Sequence, residues 1–231
     1  MSKKEQYVAA IDIGTTKIVT IVGRKNENGK IEILGISKAP STGVRRGVVQ
    51  NIEETVNAIQ ATVDDVQKTT GVVFHEVFVG IAGQHIRSIK TRGSRMRDDF
   101  DDEIKKDEVF RLIEDMYKIH VEMGEEIIHV IPQVFIIDNE PGIKNPIGIC
   151  GHQLEANFHI VIGRVAAAKN IERCVQRADL KLKDLILEPL ASADAVLTDD
   201  EKEAGVVLVD IGGGTTDLAV YYDNTIRHTA V

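Results

Sequence analysis

Two short segments, one near each end of the chain, have nearly the same sequence, and this repeat constrains the fold most. Residues 10–17 and 209–217 each place an Asp-Ile-Gly turn between two apolar, strand-like runs. Glycine tolerates the backbone angles of a tight turn, and the nearby threonines offer hydroxyl and backbone N–H donors. Each segment therefore predicts a β-hairpin whose tip can hold a phosphate group.

A single glycine-rich turn is a weak indicator of phosphate binding, because most such turns are ordinary hairpins. Repetition in matching strand contexts favours two half-sites that face each other across a cleft in an internally duplicated fold. Asp12 and Asp210 would then hold one Mg²⁺, in part through its waters. The predicted phosphate-binding residues are Asp12, Gly14, Thr15, Thr16, Lys17, Asp210, Gly212, Gly213, Gly214, Thr215 and Thr216.

Composition excludes several classes of protein. The 231 residues are 43% hydrophobic, which suits one large or two small domains with a proper core. The formal net charge of −8 argues against general nucleic-acid binding. Cys150 and Cys174 lack metal-site or disulfide spacing, so we expect a reducing, cytoplasmic environment. No signal peptide or long apolar span is predicted.

The sequence contains no familiar hydrolase or metalloenzyme pattern. The seven histidines are scattered, without an H-E-x-x-H arrangement, and we interpret them as structural or solvent-facing. No G-x-S-x-G elbow is present, and neither Asp-Ile-Gly turn has the Rossmann or Walker pattern. The repeated turn is therefore the main chemical signal in the chain.

Hydrophobic periodicity indicates an α/β chain with an extra block inside it. Asn51 and Glu54 form a capping-box pattern at the start of a helix that we expect to run to Thr70. Residues 82–163 predict an inserted subdomain. Its strand candidates lie at 86–96, 127–138 and 153–162, and its helix candidate lies at 109–117. The Pro- and Gly-containing stretch 139–148 is predicted to be a loop.

A strongly charged segment runs from Arg87 to Glu103, basic in its first half and acidic in its second. We interpret it as an exposed strand followed by a solvated turn, because charge runs usually are. The alternative is a charged docking surface.

The α/β pattern resumes after the block. A strand at 182–187 leads into a helix with Pro189 in its first turn, so Glu188 lies at the junction, where its carboxylate can project into a cleft. The alternative role for Glu188 is a partner of the helix dipole. Residues 198–204 are predicted to be a polar bridge. The second half of a duplicated fold would need more residues than remain before Val231, which suggests a fragment.

These residues resemble the actin, Hsp70 and sugar-kinase superfamily, with its two phosphate motifs at 12–17 and 210–217 and its first connecting helix at 188–195. Within it, the whole sequence resembles the FtsA family of bacterial cell-division proteins, most clearly at 12–17, 79–86, 145–148 and 188–193. The resemblance implies an α/β, actin-like (ribonuclease H-like) nucleotide-binding fold. The implied divisions are 1–81, the insertion 82–163, the continuation 164–198, and the incomplete second half 199–231.

The family resemblance also implies ligands and partners. These are ATP and Mg²⁺, with Glu188 orienting water in what is at most a weak ATPase. The protein would anchor FtsZ filaments to the cytoplasmic face of the plasma membrane at the division site and polymerise with itself. Later division proteins would meet the insertion. The adenosine-binding segment, the FtsZ-binding surface and the membrane helix would lie beyond Val231.

Two related families are alternatives. Sugar kinases open with the same turn, but they need a base and sugar-binding residues just after the first hairpin, where this chain has its insertion block. An actin-like pilus-assembly platform protein shares the insertion and the scaffolding role.

Overall fold

The computed structural model describes residues 7–27, 29–98 and 101–231. The polar segment 1–6 and Asp99 of the acidic run lie outside the described residues. The elements in chain order are β1 (Tyr7–Ile13), β2 (Lys17–Lys25), β3 (Ile31–Pro40), β4 (Val44–Arg45), β5 (Val48–Val49), α1 (Ile52–Thr70), β6 (Glu76–Ile81), β7 (Arg87–Met96), α2 (Lys106–Met116), β8 (Glu125–Ile137), β9 (Glu140–Ile143), β10 (Gln153–Arg164), α3 (Val165–Arg177), β11 (Lys181–Leu187), α4 (Glu188–Val196), α5 (Asp199–Ala204), β12 (Val206–Ile211), β13 (Thr216–Tyr222) and β14 (Thr225–Ala230).

A five-stranded mixed sheet in the order β11-β6-β1-β2-β3 carries the first Asp-Ile-Gly turn. Strands β1, β2 and β3 form an antiparallel meander, and β6 and β11 add in parallel at the other side. Helices α1 and α3 pack together beside this sheet, and their apolar residues join its largest hydrophobic core. The first turn therefore projects from a well-supported strand pair.

Helix α1 begins and ends where its sequence predicts. The Asn51 side chain accepts a hydrogen bond from the Glu54 amide at 3.2 Å, which satisfies one of the free N–H groups of the first turn. Gly71 ends the helix in the left-handed conformation at φ 70°, and its N–H donates to the Gln67 carbonyl.

Residues within the predicted insertion form a four-stranded antiparallel sheet in the order β7-β10-β8-β9, with α2 packed against it. The predicted loop at 139–148 is wrong in part, because β9 pairs with the end of β8. Asp138 and Asn139 both have positive φ, as a tight two-residue hairpin turn requires, and Pro141 is tolerated on an edge strand.

The second Asp-Ile-Gly turn belongs to a three-stranded antiparallel sheet, β12-β13-β14, packed on α4 and α5. The predicted polar bridge at 198–204 contains the short helix α5, which its sequence pattern did not indicate. Thr198 and Glu201 form a reciprocal capping box there, with the Glu201 amide donating to Thr198 Oγ1 and the Thr198 amide donating to Glu201 Oε2.

The basic half of the charged segment is internally paired. Four arginines of β7 and the residue after it bond carboxylates of the same subdomain, in the pairs Arg87–Glu125, Arg92–Glu155, Arg95–Asp115 and Arg97–Glu108. The Arg97 side chain is only 4% exposed and also donates to the Gly151 carbonyl. These contacts support a structural role for the segment, because the guanidinium groups already hold strands and α2 together.

Among the described residues, no helix has both the length and the apolar character needed to cross a membrane.

Candidate functional site

The first turn is closed by one backbone hydrogen bond, from the Gly14 N–H to the Lys17 carbonyl at 3.1 Å. A Cβ at Gly14 would lie 2.9 Å from that same oxygen, so the turn requires glycine there. Thr15 Oγ1 accepts a hydrogen bond from the Gly47 N–H at 3.2 Å, which ties the turn to the β4–β5 connection. Thr16 and Lys17 are exposed at the tip.

The second turn has the same closure, from the Gly212 N–H to the Thr215 carbonyl at 3.0 Å. This hydrogen bond sets the correspondence between the turns: Thr15 and Thr16 match Gly213 and Gly214. The threonines of the two segments therefore do not occupy equivalent positions, although their sequences suggest it. Thr216 opens β13 and is exposed.

The two turns touch because the second turn has glycines where the first has threonines. A Cβ at Gly214 would lie 2.7 Å from Thr15 Oγ1, and one at Gly213 would overlap Thr16 Cγ2. The threonines of the first turn thus occupy the space that side chains on the second turn would fill. The glycines therefore allow the two turns to approach each other closely.

Glu188 lies at the junction of β11 and α4, beside both turns. Gly80 of the neighbouring strand makes room for it, since a Cβ there would lie 3.0 Å from Glu188 Cγ. Burial raises the pKa of Glu188 to about 8, with further increases from the negative charges of Asp12, Asp217 and Asp210. A helix dipole alone would lower this pKa, so the cleft environment dominates over the dipole.

The two predicted metal-binding carboxylates are close enough to influence each other. Burial is the largest cause that raises the pKa of Asp12, Lys17 opposes it, and the charge of Asp210 raises it further. Asp210 Oδ2 accepts a hydrogen bond from the Ser192 hydroxyl of α4 at 2.9 Å. The structure therefore brings Asp12, Asp210 and Glu188 together, as the sequence predicts.

Asp217 is a fourth carboxyl in this group, and the predicted site omitted it. It is buried in β13, and one of its oxygens has no hydrogen-bond partner. Burial raises its pKa, a hydrogen bond from Thr215 opposes this, and Asp210 adds to it. Its place at the end of the Gly-Gly-Gly-Thr-Thr-Asp run was the available sequence signal. Ser192 and Gly80 carried no comparable signal.

A bound cation suits this arrangement of charges. Four acidic groups lie together, and Lys17 is the cation that acts on Asp12. Among the described residues, no group of three or more His, Cys, Asp or Glu side chains is arranged to hold a metal ion by itself. In proteins, Mg²⁺ commonly keeps several waters and takes one or two carboxylates plus phosphate oxygens.

A cavity of about 630 Å³ adjoins the carboxyl group cluster. Its lining includes the charged residues Asp12, Lys17, Lys38, Glu188 and Asp210 together with apolar residues of the five-stranded sheet such as Phe78. Its size is typical of small-molecule sites, but only its charged residues have the chemistry for phosphate or a cation.

Comparison with known proteins finds similar sequences along nearly the whole chain. The family described as "SHS2 domain inserted in FTSA" matches residues 83–162. Cell division protein FtsA of Pseudomonas aeruginosa is 45% identical over 98% of this chain and 54% of that protein. The Neisseria meningitidis protein of the same name is 40% identical over 100% of this chain and 55% of that protein. The chain thus spans about half the length of these relatives.

Solved structures agree on the fold. A chain of the PilM–PilN type IV pilus biogenesis complex matches 96% of this chain and 60% of its own length, with a TM-score of 0.64 and 13% identity. Ethanolamine utilization protein EutJ from Carboxydothermus hydrogenoformans matches 100% of this chain and 53% of its own, with a TM-score of 0.53 and 16% identity. The predicted actin-like α/β fold is confirmed. Nearly the whole chain is therefore similar to about half of the bacterial cell division protein FtsA.

Proposed function

We propose that this chain supplies the phosphate-binding turns of an ATP-binding, actin-like protein that anchors FtsZ filaments at the division site. The observation that carries this proposal is the contact between the two Asp-Ile-Gly turns beside four carboxyl groups. In the proposed assignment, the turn residues Gly14, Thr15, Thr16 and Lys17 and their counterparts from Gly212 to Thr216 hold the phosphates. Asp12 and Asp210 hold Mg²⁺.

The charge balance supports a Mg-nucleotide as the ligand. Burial and neighbouring carboxylates raise the pKa of Glu188 to about 8 and hold the pKa of Asp12 above its usual value, so both groups release their protons less readily. A bound divalent cation would replace those protons and neutralise phosphate charge. In the proposed complex, backbone N–H groups of the turns and the Lys17 side chain would meet the phosphate oxygens, as in other anion-binding loops.

Glu188 is the proposed residue for orienting a water molecule. With a pKa of about 8, it is mostly protonated at neutral pH before a cation binds. A protonated carboxyl donates a hydrogen bond but cannot accept a proton, which agrees with slow turnover. We therefore propose that ATP mainly fixes the closed, filament-forming conformation, and that hydrolysis is weak at most.

Calorimetric titration with Mg-ATP tests the site, both in this chain and in a protein extended to the length of the relatives. Asp12→Ala and Asp210→Ala should each weaken binding at least tenfold in the form that binds. Asp65→Ala is the matched control, because Asp65 bonds Ser37 on the surface, away from both turns. Unchanged affinity in both cleft variants would refute the assignment.

The division role rests on the family and extends beyond these residues. We propose that the whole protein lies at the cytoplasmic face of the plasma membrane and assembles into filaments with itself. A segment outside this chain would supply the membrane contact. Residues 82–163 would form the inserted subdomain that meets later division proteins, and the divisions 1–81, 164–198 and 199–231 would form the actin-like body. We expect no nucleic-acid partner.

Binding of an FtsZ C-terminal tail peptide to the extended protein separates this role from a pilus-assembly platform or a sugar kinase. Micromolar binding by fluorescence anisotropy is the expected result. A sugar-dependent release of ADP without tail binding would instead favour a kinase. The negative-control peptide keeps the composition of the tail in scrambled order.

A further inference from the structure

One strand of the inserted sheet contacts both parts of the molecule that carry the phosphate turns. The strand is β8, and its contacting residues are His129, Ile131 and Gln133 at alternating positions. Strand β8 is bulged at Gln133, where its pairing with β10 shifts by one residue, and it bridges the two parts through these three residues. Of the histidines interpreted as structural, His129 is one that makes such a contact.

The contact with the first part lies next to Glu188. His129 Nε2 accepts a hydrogen bond from the Leu187 N–H at 3.0 Å. Leu187 is fully buried and ends β11, so its amide position sets the direction in which Glu188 enters the cleft. The insertion is thereby bonded to the backbone one residue before the cleft carboxyl.

The contacts with the second part are made to β14. The Gln133 side-chain amide donates to the Ile226 carbonyl, and Thr225 Oγ1 donates to the Gln133 carbonyl at 3.4 Å. Between His129 and Gln133, Ile131 packs against the hydrophobic cluster of Ile226 and Tyr221. We call these contacts between β14 and the inserted sheet the β14 seam.

Three further contacts extend the β14 seam, two from neighbouring strands and one from the residue after β9 to the β13–β14 turn. His159 Nε2 and Thr229 Oγ1 are 3.1 Å apart, and Ser88 Oγ donates to the Thr229 carbonyl at 3.4 Å. Lys144 Nζ lies 2.7 Å from Asp223 Oδ1 at the β13–β14 turn. The seam therefore engages β7, β8 and β10 and does not depend on a single contact.

The β14 seam is connected to the second phosphate turn through regular structure. Strand β14 is hydrogen-bonded to β13, and β13 starts at Thr216, directly after the glycine-rich turn. If the second phosphate turn moves away from the first, β13 and β14 move with it. The hydrogen bond between His129 and Leu187 meanwhile holds the insertion on the first part. Opening of the cleft therefore has to strain or break the seam.

We infer that the β14 seam couples separation of the two phosphate turns to the position of the inserted sheet. This inference rests on the proposed nucleotide site. Closing the cleft completes the seam and fixes the insertion, whereas opening the cleft releases the insertion from β14. Coupling between two sites is reciprocal. A partner that binds the insertion therefore changes nucleotide affinity by the same factor by which the nucleotide changes the affinity for that partner.

Hydrogen exchange with and without Mg-ATP tests the inference in the protein extended to the length of the relatives. In the unmodified protein, Mg-ATP should slow amide exchange in Glu125–Ile137 and Thr225–Ala230. Gln133→Ala should reduce this added protection by more than half and weaken Mg-ATP binding about fivefold, the lower end of typical coupling. Gln176→Ala is the matched control, because Gln176 bonds Glu172 on its own helix.

A charge exchange provides a second test if Gln133→Ala does not fold. Lys144→Asp should weaken nucleotide binding about twofold, and adding Asp223→Lys should restore it, because the exposed pair re-forms with reversed charges. Restoration distinguishes a seam contact from general damage.

The outcomes separate the inference from the proposed site. Mg-ATP binding with unchanged exchange in the insertion, and with Gln133→Ala within twofold of the unmodified protein, would overturn the seam and leave the nucleotide site intact. Absence of Mg-ATP binding in the unmodified protein would overturn both.

Discussion

The two Asp-Ile-Gly hairpins have the same turn but different surroundings. In the first, Ile11 and Ile13 are 1% and 5% exposed, whereas the corresponding Val209 and Ile211 of the second are 50% and 78% exposed. Both turns close with the same N–H to carbonyl hydrogen bond. The local sequence is therefore sufficient for the turn, and the burial of each strand depends on distant segments.

The source of the difference is the number of elements around each hairpin. Strand β1 lies between two strands of a five-stranded sheet with α1 and α3 beside it, while β12 is the edge of a three-stranded sheet. The second hairpin therefore has a small core of Ala193, Ala219, Tyr221 and Ile226. The comparison predicts that equal substitutions have unequal effects in the two hairpins.

The largest expected difference is in stability. Ile13→Ala should lower the free energy of unfolding by about 2–5 kcal/mol, because it removes buried methyl groups and leaves a cavity. Ile211→Ala, at the matching position, should change it by less than about 0.5 kcal/mol. Urea unfolding followed by circular dichroism measures both. Equal losses would show that the second hairpin is buried in solution.

A smaller effect is expected where the turns meet. Gly213→Ala should destabilise the chain by about 1–3 kcal/mol, because the new methyl group overlaps Thr16. The reciprocal change Thr16→Ala removes the overlapping atoms, so the double variant should recover most of the loss. Additive losses in a double-mutant cycle would mean that the turns do not touch.

Much of the fold follows from local patterns in the sequence. Helix α1 was predictable from Asn51, Glu54 and Gly71, because capping uses near neighbours. The apolar alternation predicted most strands for the same reason. Strand β9 and helix α5 were missed since Pro141 and the polar run at 198–204 masked a tight turn and a capping box.

The site was predictable in part. The paired motifs indicated Asp12 and Asp210, and the strand-to-helix junction indicated Glu188. The correspondence of Thr15 with Gly213 follows from aligning the two Asp-Ile-Gly triplets, but the contact between the turns was not predictable, because it joins distant segments. The β14 seam was also hidden, since the hydrogen-bonded residues in it are 70 to 141 positions apart.

The pKa of Glu188 makes the stability of the chain depend on pH. Folding raises the pKa of Glu188 from 4.5 to about 8, so the folded state binds this proton more tightly than the unfolded state. Stability therefore falls as the pH rises from about 4.5 through about 8. Glu188→Gln removes this penalty and should be more stable by roughly 1–2 kcal/mol at pH 8.5, after solvent screening is allowed for.

The same comparison at pH 4.5 is the control for Glu188→Gln. There the carboxyl is protonated in most folded molecules and is already neutral, so the advantage of the variant should shrink. Folding lowers the pKa of His159 to about 4, which reduces stability as the pH falls below 6.5 in both proteins and cancels in the difference. A stability difference independent of pH would contradict the raised pKa.

The smallest expected effect is on the pKa of Glu188, and it compares the charges of the two hairpins. Asp12 contributes more than Asp210 to the raised pKa of Glu188, so Asp12→Asn should lower that pKa further than Asp210→Asn does. We expect a difference of a few tenths of a unit, because both carboxylates act through a partly hydrated cleft. Carbon-13 NMR titration of the Glu188 carboxyl measures it, with Asp65→Asn as the control. A larger decrease in Asp210→Asn would place Glu188 nearer the second hairpin, and the exposed hairpin would then dominate the electrostatics of the cleft.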